Sequence, residues 1–102
     1  MSGQKLVTLS VTVTPGTVTQ GDNFQVYGTG FYPHNWFSVL VVAGTGGGCV
    51  GLTPLGQGGW TDASGNVGPV TFSSNNLQPG THCVTVTAGN LKGETQFTVT
   101  AP

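Results

Sequence analysis

The sequence predicts an all-β fold, an antiparallel β-sandwich of about seven strands in two sheets. Apolar residues alternate with threonine over residues 11–14, and the same period of two returns at Phe24 and Val26. Turn residues recur at short, even spacing, and no segment shows the 3.6-residue apolar period of a helix. At 102 residues the chain has the length of a single such domain, 1–102, with residues 1–5 expected to form a flexible N-terminal tail.

The elements follow in order from this alternation and from the turns between them. Phe37, Val39 and Val41 set the core register of the third strand, which turns Trp36, Leu40 and Val42 outward. The predicted strands are 6–14, 24–28, 36–42, 50–52, 57–61, 67–73, 81–87 and 95–100, of which 50–52 and 57–61 are short edge candidates. The predicted core residues are Leu9, Val11, Val13, Val18, Phe24, Val26, Phe31, Phe37, Val39, Val41, Val70, Phe72, Leu77, Val84, Val86, Phe97 and Val99.

Four segments together carry a family resemblance: VTVTPGTVTQGDNFQVYGTGFYP, TDASGN, LQPGTHCVTVTAG and ETQFTVT. In this order they resemble bacterial immunoglobulin-like (Ig-like) domains, which occur in tandem on actinobacterial surface proteins and as accessory domains of tailed-phage virion proteins. The resemblance covers nearly the whole chain and implies the fold more than a function, because such domains share a scaffold rather than a site. The family commonly has a corner-forming tyrosine where this chain has His82.

The composition excludes several classes of partner. Charged residues make up 5% of the chain and the formal net charge is −1, so neither nucleic acid nor an anionic membrane is expected as a partner. No apolar run has membrane-spanning length. The N-terminus lacks a basic segment followed by an apolar core, so no signal peptide is predicted. A surface with so few charges suits a protein that works inside an assembly.

The residues that carry enzyme chemistry are few and do not group. The histidines are His34 and His82, and the carboxylates are Asp22, Asp62 and Glu94. Their spacing does not suggest a nucleophilic triad, so the sequence predicts no enzyme and no catalytic residue.

No cofactor or metal site is predicted either. The cysteines and histidines lack the paired spacing of a zinc site, and the DASGN segment has too few carboxylates for calcium. The segment GGGCVG matches a dinucleotide-binding pattern in letters, but LTPLG follows it where a helix would have to begin.

The two cysteines leave one question open. Val84 and Val86 take the core register, so Cys83 is predicted to point outward, where Cys49 could fold back and form a disulfide with it. Such a bond would stabilise the fold by about 3–4 kcal/mol in the chain-entropy model. The alternative is two unpaired thiols, as expected in a reducing compartment.

The outward face of the third strand is the best functional indication. Trp36, Leu40 and Val42, with Trp60, are predicted to form an apolar interface, and exposed patches of this kind mark contact surfaces. The alternative is that the segment 43–60 covers them.

Three functions of different classes remain. The first is a non-enzymatic structural protein of a phage virion, a capsid decoration or accessory protein that docks on capsid subunits or on itself. The second is an Ig-like repeat of a secreted bacterial surface or adhesion protein. The third is a carbohydrate-binding module, in which Trp36, Trp60 and Tyr32 would stack on sugar rings. The sequence favours the first, and hence a virion location rather than the cell surface.

Overall fold

The computed structural model describes residues 9–43 and 55–102, which form two β-sheets packed face to face. The predicted all-β sandwich is thereby confirmed. Within the described ranges there is no helix, and so none that is long and apolar enough to cross a membrane. The strands are β1 Ser10–Thr14, β2 Thr17–Thr19, β3 Asn23–Thr29, β4 Trp36–Val41, β5 Leu55–Trp60, β6 Val67–Ser73, β7 Gly80–Ala88 and β8 Leu91–Thr100.

The two sheets differ in width. One has three strands in the order β1-β3-β6, and the other has five in the order β2-β8-β7-β4-β5. Neighbouring strands are antiparallel except for β2 and β8, which run parallel. The sandwich is therefore not wholly antiparallel as predicted. Consecutive strands repeatedly change sheet, as they do in immunoglobulin-type sandwiches.

Strand β2 is the element that the alternation did not predict. The chain leaves the three-stranded sheet at Pro15 and joins the five-stranded sheet at Thr17, with the Gly16 carbonyl accepting a hydrogen bond from Thr98 N–H at 3.0 Å. With three residues, β2 buries only Val18, which is too short a pattern to show a period. The predicted strand 50–52, residues 6–8 of the predicted first strand and the tail 1–5 lie outside the described residues.

The core lies between the sheets and follows the predicted register closely. Of the predicted core residues, Leu9 and Val11 are half-buried against the core and the others are buried. Val67 and Ala88 also belong to the core, Val67 as the first residue of the predicted strand 67–73 and Ala88 just beyond the predicted strand 81–87. The rings of Phe72, Phe24 and Phe97 stack in sequence across the sandwich, with centroids 5.6 and 4.6 Å apart.

Candidate docking surface

The outer face of the five-stranded sheet carries three exposed apolar side chains, Trp36, Leu40 and Trp60, which we call the aromatic patch. Trp36 and Leu40 lie at outward positions of β4, and the register of β4 with β5 places Trp60 opposite Trp36. Their exposed fractions are 53%, 39% and 68%, respectively. Three of the four predicted interface residues are thus brought together on one surface.

Glycines of β5 give the patch its shape. The indole of Trp36 lies over Gly58, where an added Cβ would be 2.4 Å from Cζ2, and Leu40 lies over Gly56, where the corresponding distance to Cδ2 is 3.0 Å. Trp36 and Trp60 meet edge to face, with ring centroids 5.3 Å apart and planes at 77°. The sequence prediction missed these two glycines, although their alternation in LGQGGW was the signal of a face without side chains.

Val42 departs from the prediction, because it is buried, with 4% of its surface exposed. Strand β4 ends at Val41. Val42 then donates its N–H to Cys83 O at 2.9 Å, and its carbonyl lies 2.8 Å from Nδ1 of His82, a ring on the core side. Val42 thus continues beside Cys83, which is also buried, and the side chain that was predicted to be exposed is covered. Val42 is not part of the aromatic patch.

Only one of the two predicted disulfide partners is among the residues that the structure describes. Cys83 occupies the outward register of β7, as predicted, but only 2% of it is exposed, and it is not a free thiol. Cys49 lies outside the described residues, so its pairing with Cys83 stays a prediction.

Toward β8 the same face becomes polar. Thr85 and Thr87 of β7 continue the rows of Leu40 and Ser38, and β8 adds Glu94 and Lys92 to those rows. Lys92 Nζ and Glu94 Oε2 form an exposed ion pair at 3.6 Å. An apolar centre beside a polar, charged border is the usual anatomy of a protein contact surface.

Two loops hold the Trp36 end of β4 in place. Thr61, which is buried, donates its hydroxyl to Tyr32 O and accepts a hydrogen bond from Asn35 N at 2.8 Å. Thr61 N–H in turn donates to Asn35 O at 2.8 Å. These bonds tie the chain just before Trp36 to the chain just after Trp60, so the two indoles stand on a fixed backbone. Tyr32 itself is 47% exposed and lies beside Gly89.

Asp62 organises the turn that follows. Its Oδ1 accepts the N–H groups of Ser64 and Asn66, each at 2.9 Å, and Oδ2 accepts Asn66 Nδ2 at 3.2 Å. The main-chain bonds, that from Asn66 first and then that from Ser64, hold the pKa of Asp62 below its ordinary value. This carboxylate therefore stabilises the turn. Among the described residues, no group of three or more histidine, cysteine, aspartate or glutamate side chains is arranged to hold a metal ion.

The two histidines lie toward opposite ends of β4, about 20 Å apart along a strand of this length. His34 sits in the loop before β4 with φ of 53°. His82 is buried on the core side of β7, where its ring stacks on Phe97 at 5.8 Å. Its Nε2 lies 2.7 Å from Gln78 O, and both ring nitrogens thus face main-chain carbonyls. The ring therefore lies against the chain just after β4 and the chain just before β7.

Comparisons with known proteins identify the fold and no more. No protein-family model matches the chain, and no curated protein matches it. Among solved structures, one of macromomycin is similar with a TM-score of 0.63 and 18% sequence identity, covering 90% of this chain and 99% of that one. At that identity the likeness shows a shared β-sandwich fold alone.

Proposed function

We propose that the protein is a non-enzymatic binding module that docks on a partner protein through the aromatic patch. The observation that carries the proposal is the exposure of Trp36, Leu40 and Trp60 side by side on the outer sheet face. Tryptophan is enriched among the residues that dominate binding energy, and a soluble surface rarely groups such side chains without a contact to make.

The rigidity of the patch favours docking. Strand positions fix the direction of Trp36 and Leu40, and the glycines beneath them leave the side chains lying flat against the sheet. Little ordering entropy is then lost when a partner covers the patch, so more of the burial energy, roughly 25 cal/mol per Å² of apolar area, is retained as affinity.

A non-enzymatic role is supported by how the titratable groups are used. His82 is buried, with each ring nitrogen directed at a main-chain carbonyl, and His34 lies toward the far end of β4. Asp62 directs both carboxylate oxygens into its own turn. His82 and Asp62 thus have their polar atoms engaged within the fold, while His34, whose main-chain N–H donates to Asp62 O at 3.3 Å, is separated from His82 by the length of β4.

Carbohydrate binding is the second candidate, because exposed indoles also stack on sugar rings. The 77° angle between Trp36 and Trp60 argues against it, since the two rings do not form one flat platform. Titration with soluble oligosaccharides, followed by tryptophan emission, tests this candidate directly. A saturable change that Trp36→Ser abolishes would favour sugar binding over protein docking.

The more specific role predicted from the sequence, a capsid decoration or accessory protein of a phage virion, stays a prediction. It rests on the resemblance to Ig-like domains and on the low charge of the chain. The cell-surface alternative needs the same kind of docking surface, and the aromatic patch suits either one.

The test of protein docking is site-specific photo-cross-linking in the source cells or particles. A photoreactive phenylalanine analogue replaces Leu40 in the patch, and the matched control carries it at Thr12, which is exposed on the other sheet. We expect a discrete heterologous adduct from position 40 that is absent from position 12 and is lost when Trp36→Ser is added. No adduct from position 40, or the same adducts from both positions, would overturn the proposal.

A further inference from the structure

Strand β5 leaves one edge of the five-stranded sheet open. Within residues 9–43 and 55–102, β5 pairs with β4 and no strand lies beyond it. Thr61 N–H donates to Asn35 O toward β4, and in an antiparallel ladder such bonded positions alternate along the strand. The positions between them, Gly56, Gly58 and Trp60, therefore direct their main-chain N–H and C=O groups toward the open edge.

The other three sheet edges are each shortened, interrupted or covered. Strand β2 has three residues. Strand β6 contains Pro69, which has no N–H, and its Thr71 carbonyl accepts a hydrogen bond from Gln57 Nε2 at 2.8 Å. Strand β1 packs against β8, where Val11 lies over Gly93.

Strand β5 meets β6 through the Gln57 side chain, but its edge-directed main-chain groups lie at Gly56, Gly58 and Trp60. Its six residues contain no charge and no proline, which are the usual devices against edge pairing.

We infer that β5 pairs antiparallel with β5 of a second copy of this chain, across a two-fold axis at Gly58. In this register Gly58 faces its own counterpart, and Gly56 of each copy faces Trp60 of the other. All three edge-directed residues are then paired, giving about six main-chain hydrogen bonds, two for each facing pair. The two five-stranded sheets become one continuous sheet.

The side chains fit the same register. Trp60 is the most exposed large apolar residue within 9–43 and 55–102, and it would lie over Gly56 of the other copy, a position with no side chain of its own. Leu40 stands beside Gly56, so each Trp60 would rest between Trp36 of its own copy and Leu40 of the other. The two aromatic patches merge into one.

Charge favours a second copy as the occupant. Self-pairing brings identical residues together, so any charge on β5 would meet a like charge near the axis. The strand is uncharged, and Lys92 and Glu94, on the same face, are on β8, three strands from the open edge. The inference goes beyond the proposed docking function and does not depend on it, because it rests on the edge of the sheet rather than on its face.

Sedimentation equilibrium of the full chain tests the pairing. We expect a dimer to form within a concentration series that extends to about 1 mM. Gly56→Lys should raise its dissociation constant at least about tenfold, because it places a charge where Trp60 of the other copy lies. Gly56 tolerates the change, because its added Cβ meets only the mobile end of Leu40 and the Val39 carbonyl at 3.5 Å. Gly16→Lys is the matched control, since Gly16 has open space around it between β1 and β2, and it should leave the dimer unchanged.

Amide exchange of the wild-type chain gives a second readout that needs no variant. The N–H groups of Gly56, Gly58 and Trp60 should become protected as protein concentration rises, while those of Thr12 and Thr17 should not. A chain that stays monomeric, a dimer that Gly56→Lys leaves intact, or exchange independent of concentration would overturn the inference. Trp36→Ser keeps all three edge residues, so it should abolish partner cross-linking but not the dimer, and the two proposals can fail separately.

Discussion

Two outward-facing side chains at opposite ends of β4 differ in their exposure to solvent. Trp36, the first residue of the strand, is 53% exposed, whereas Val42, which follows its last residue, is 4% exposed. Trp36 lies beside Gly58, which has no side chain to cover it, whereas Val42 lies opposite Cys83 and has its carbonyl beside the buried His82 ring. Alternation decides which way a side chain points, but the neighbouring strands decide whether it reaches solvent. We therefore expect the Val42 end to contribute to stability and the Trp36 end to contribute to binding.

The largest expected effect comes from comparing Trp36 with its neighbour on the core side of β4. Phe37 is adjacent to Trp36 but points into the core, where its ring packs against Gly59. Phe37→Ala should lower the free energy of unfolding by about 3–5 kcal/mol, because it leaves a cavity. Trp36→Ser should change it by less than about 1 kcal/mol, as exposed positions usually do. Urea unfolding of both variants measures these changes. A larger loss of stability for Trp36→Ser than for Phe37→Ala would mean that the register of β4 is shifted by one residue.

The second effect tests the Val42 end. His82→Ala removes the ring that lies against Val42 O and Gln78 O, and with it a polar partner of these main-chain carbonyls. We expect a loss of about 2–4 kcal/mol from these groups and from the cavity. His34→Asn is the control, because asparagine tolerates the positive φ at that position, and it should stay within about 0.5 kcal/mol of wild type. Equal losses of stability in the two variants would contradict the structural role assigned to His82.

The residues of β4 also show how far sequence reasoning reaches. Phe37, Val39 and Val41 were assigned to the core from alternation alone, and all three are buried. This succeeds because burial of one face fixes the register of a strand. The prediction for Val42 was wrong because alternation does not show whether a side chain is covered, and the contacts of Val42 with Cys83 and His82 are long-range contacts that no local pattern contains.

The candidate site was predictable in part for the same reason. Trp36 and Leu40 are outward by alternation, but their meeting with Trp60 depends on the pairing of β4 with β5, which no local pattern contains. The glycines at positions 56 and 58 were not singled out, because their role appears only once a side chain is placed above them.

A third, smaller effect tests how the Trp36 end is supported. Gly58→Ala places a Cβ 2.4 Å from the indole of Trp36 and 3.1 Å from Phe37 O, so the ring must shift. We expect a loss of about 1 kcal/mol and a changed near-ultraviolet circular dichroism spectrum from the Trp36–Trp60 pair. Gly56→Ala is the matched control. Its added Cβ would lie 3.0 Å from Cδ2, the far end of the Leu40 side chain, and 3.5 Å from the Val39 carbonyl oxygen. An unchanged spectrum in Gly58→Ala would show that the indole does not lie on the glycine.

The smallest effect concerns the turn behind the Trp36 end. Hydrogen bonds from the main-chain N–H groups of Asn66 and Ser64 hold the folded-state pKa of Asp62 below its ordinary value of 3.8. A carboxyl with a lowered folded pKa contributes stability that is fully present above its unfolded pKa and is lost as pH falls through the folded pKa. Asp62→Asn should therefore weaken the fold slightly at pH 7 and reduce the further loss on acidification below about pH 4. Urea midpoints of both proteins between neutral and acidic pH measure the difference, and the other carboxylates, Asp22 and Glu94, are common to both. Identical pH profiles would mean that the Asp62 carboxylate is not held by its turn, and that the loop behind Trp60 is fixed by Thr61 alone.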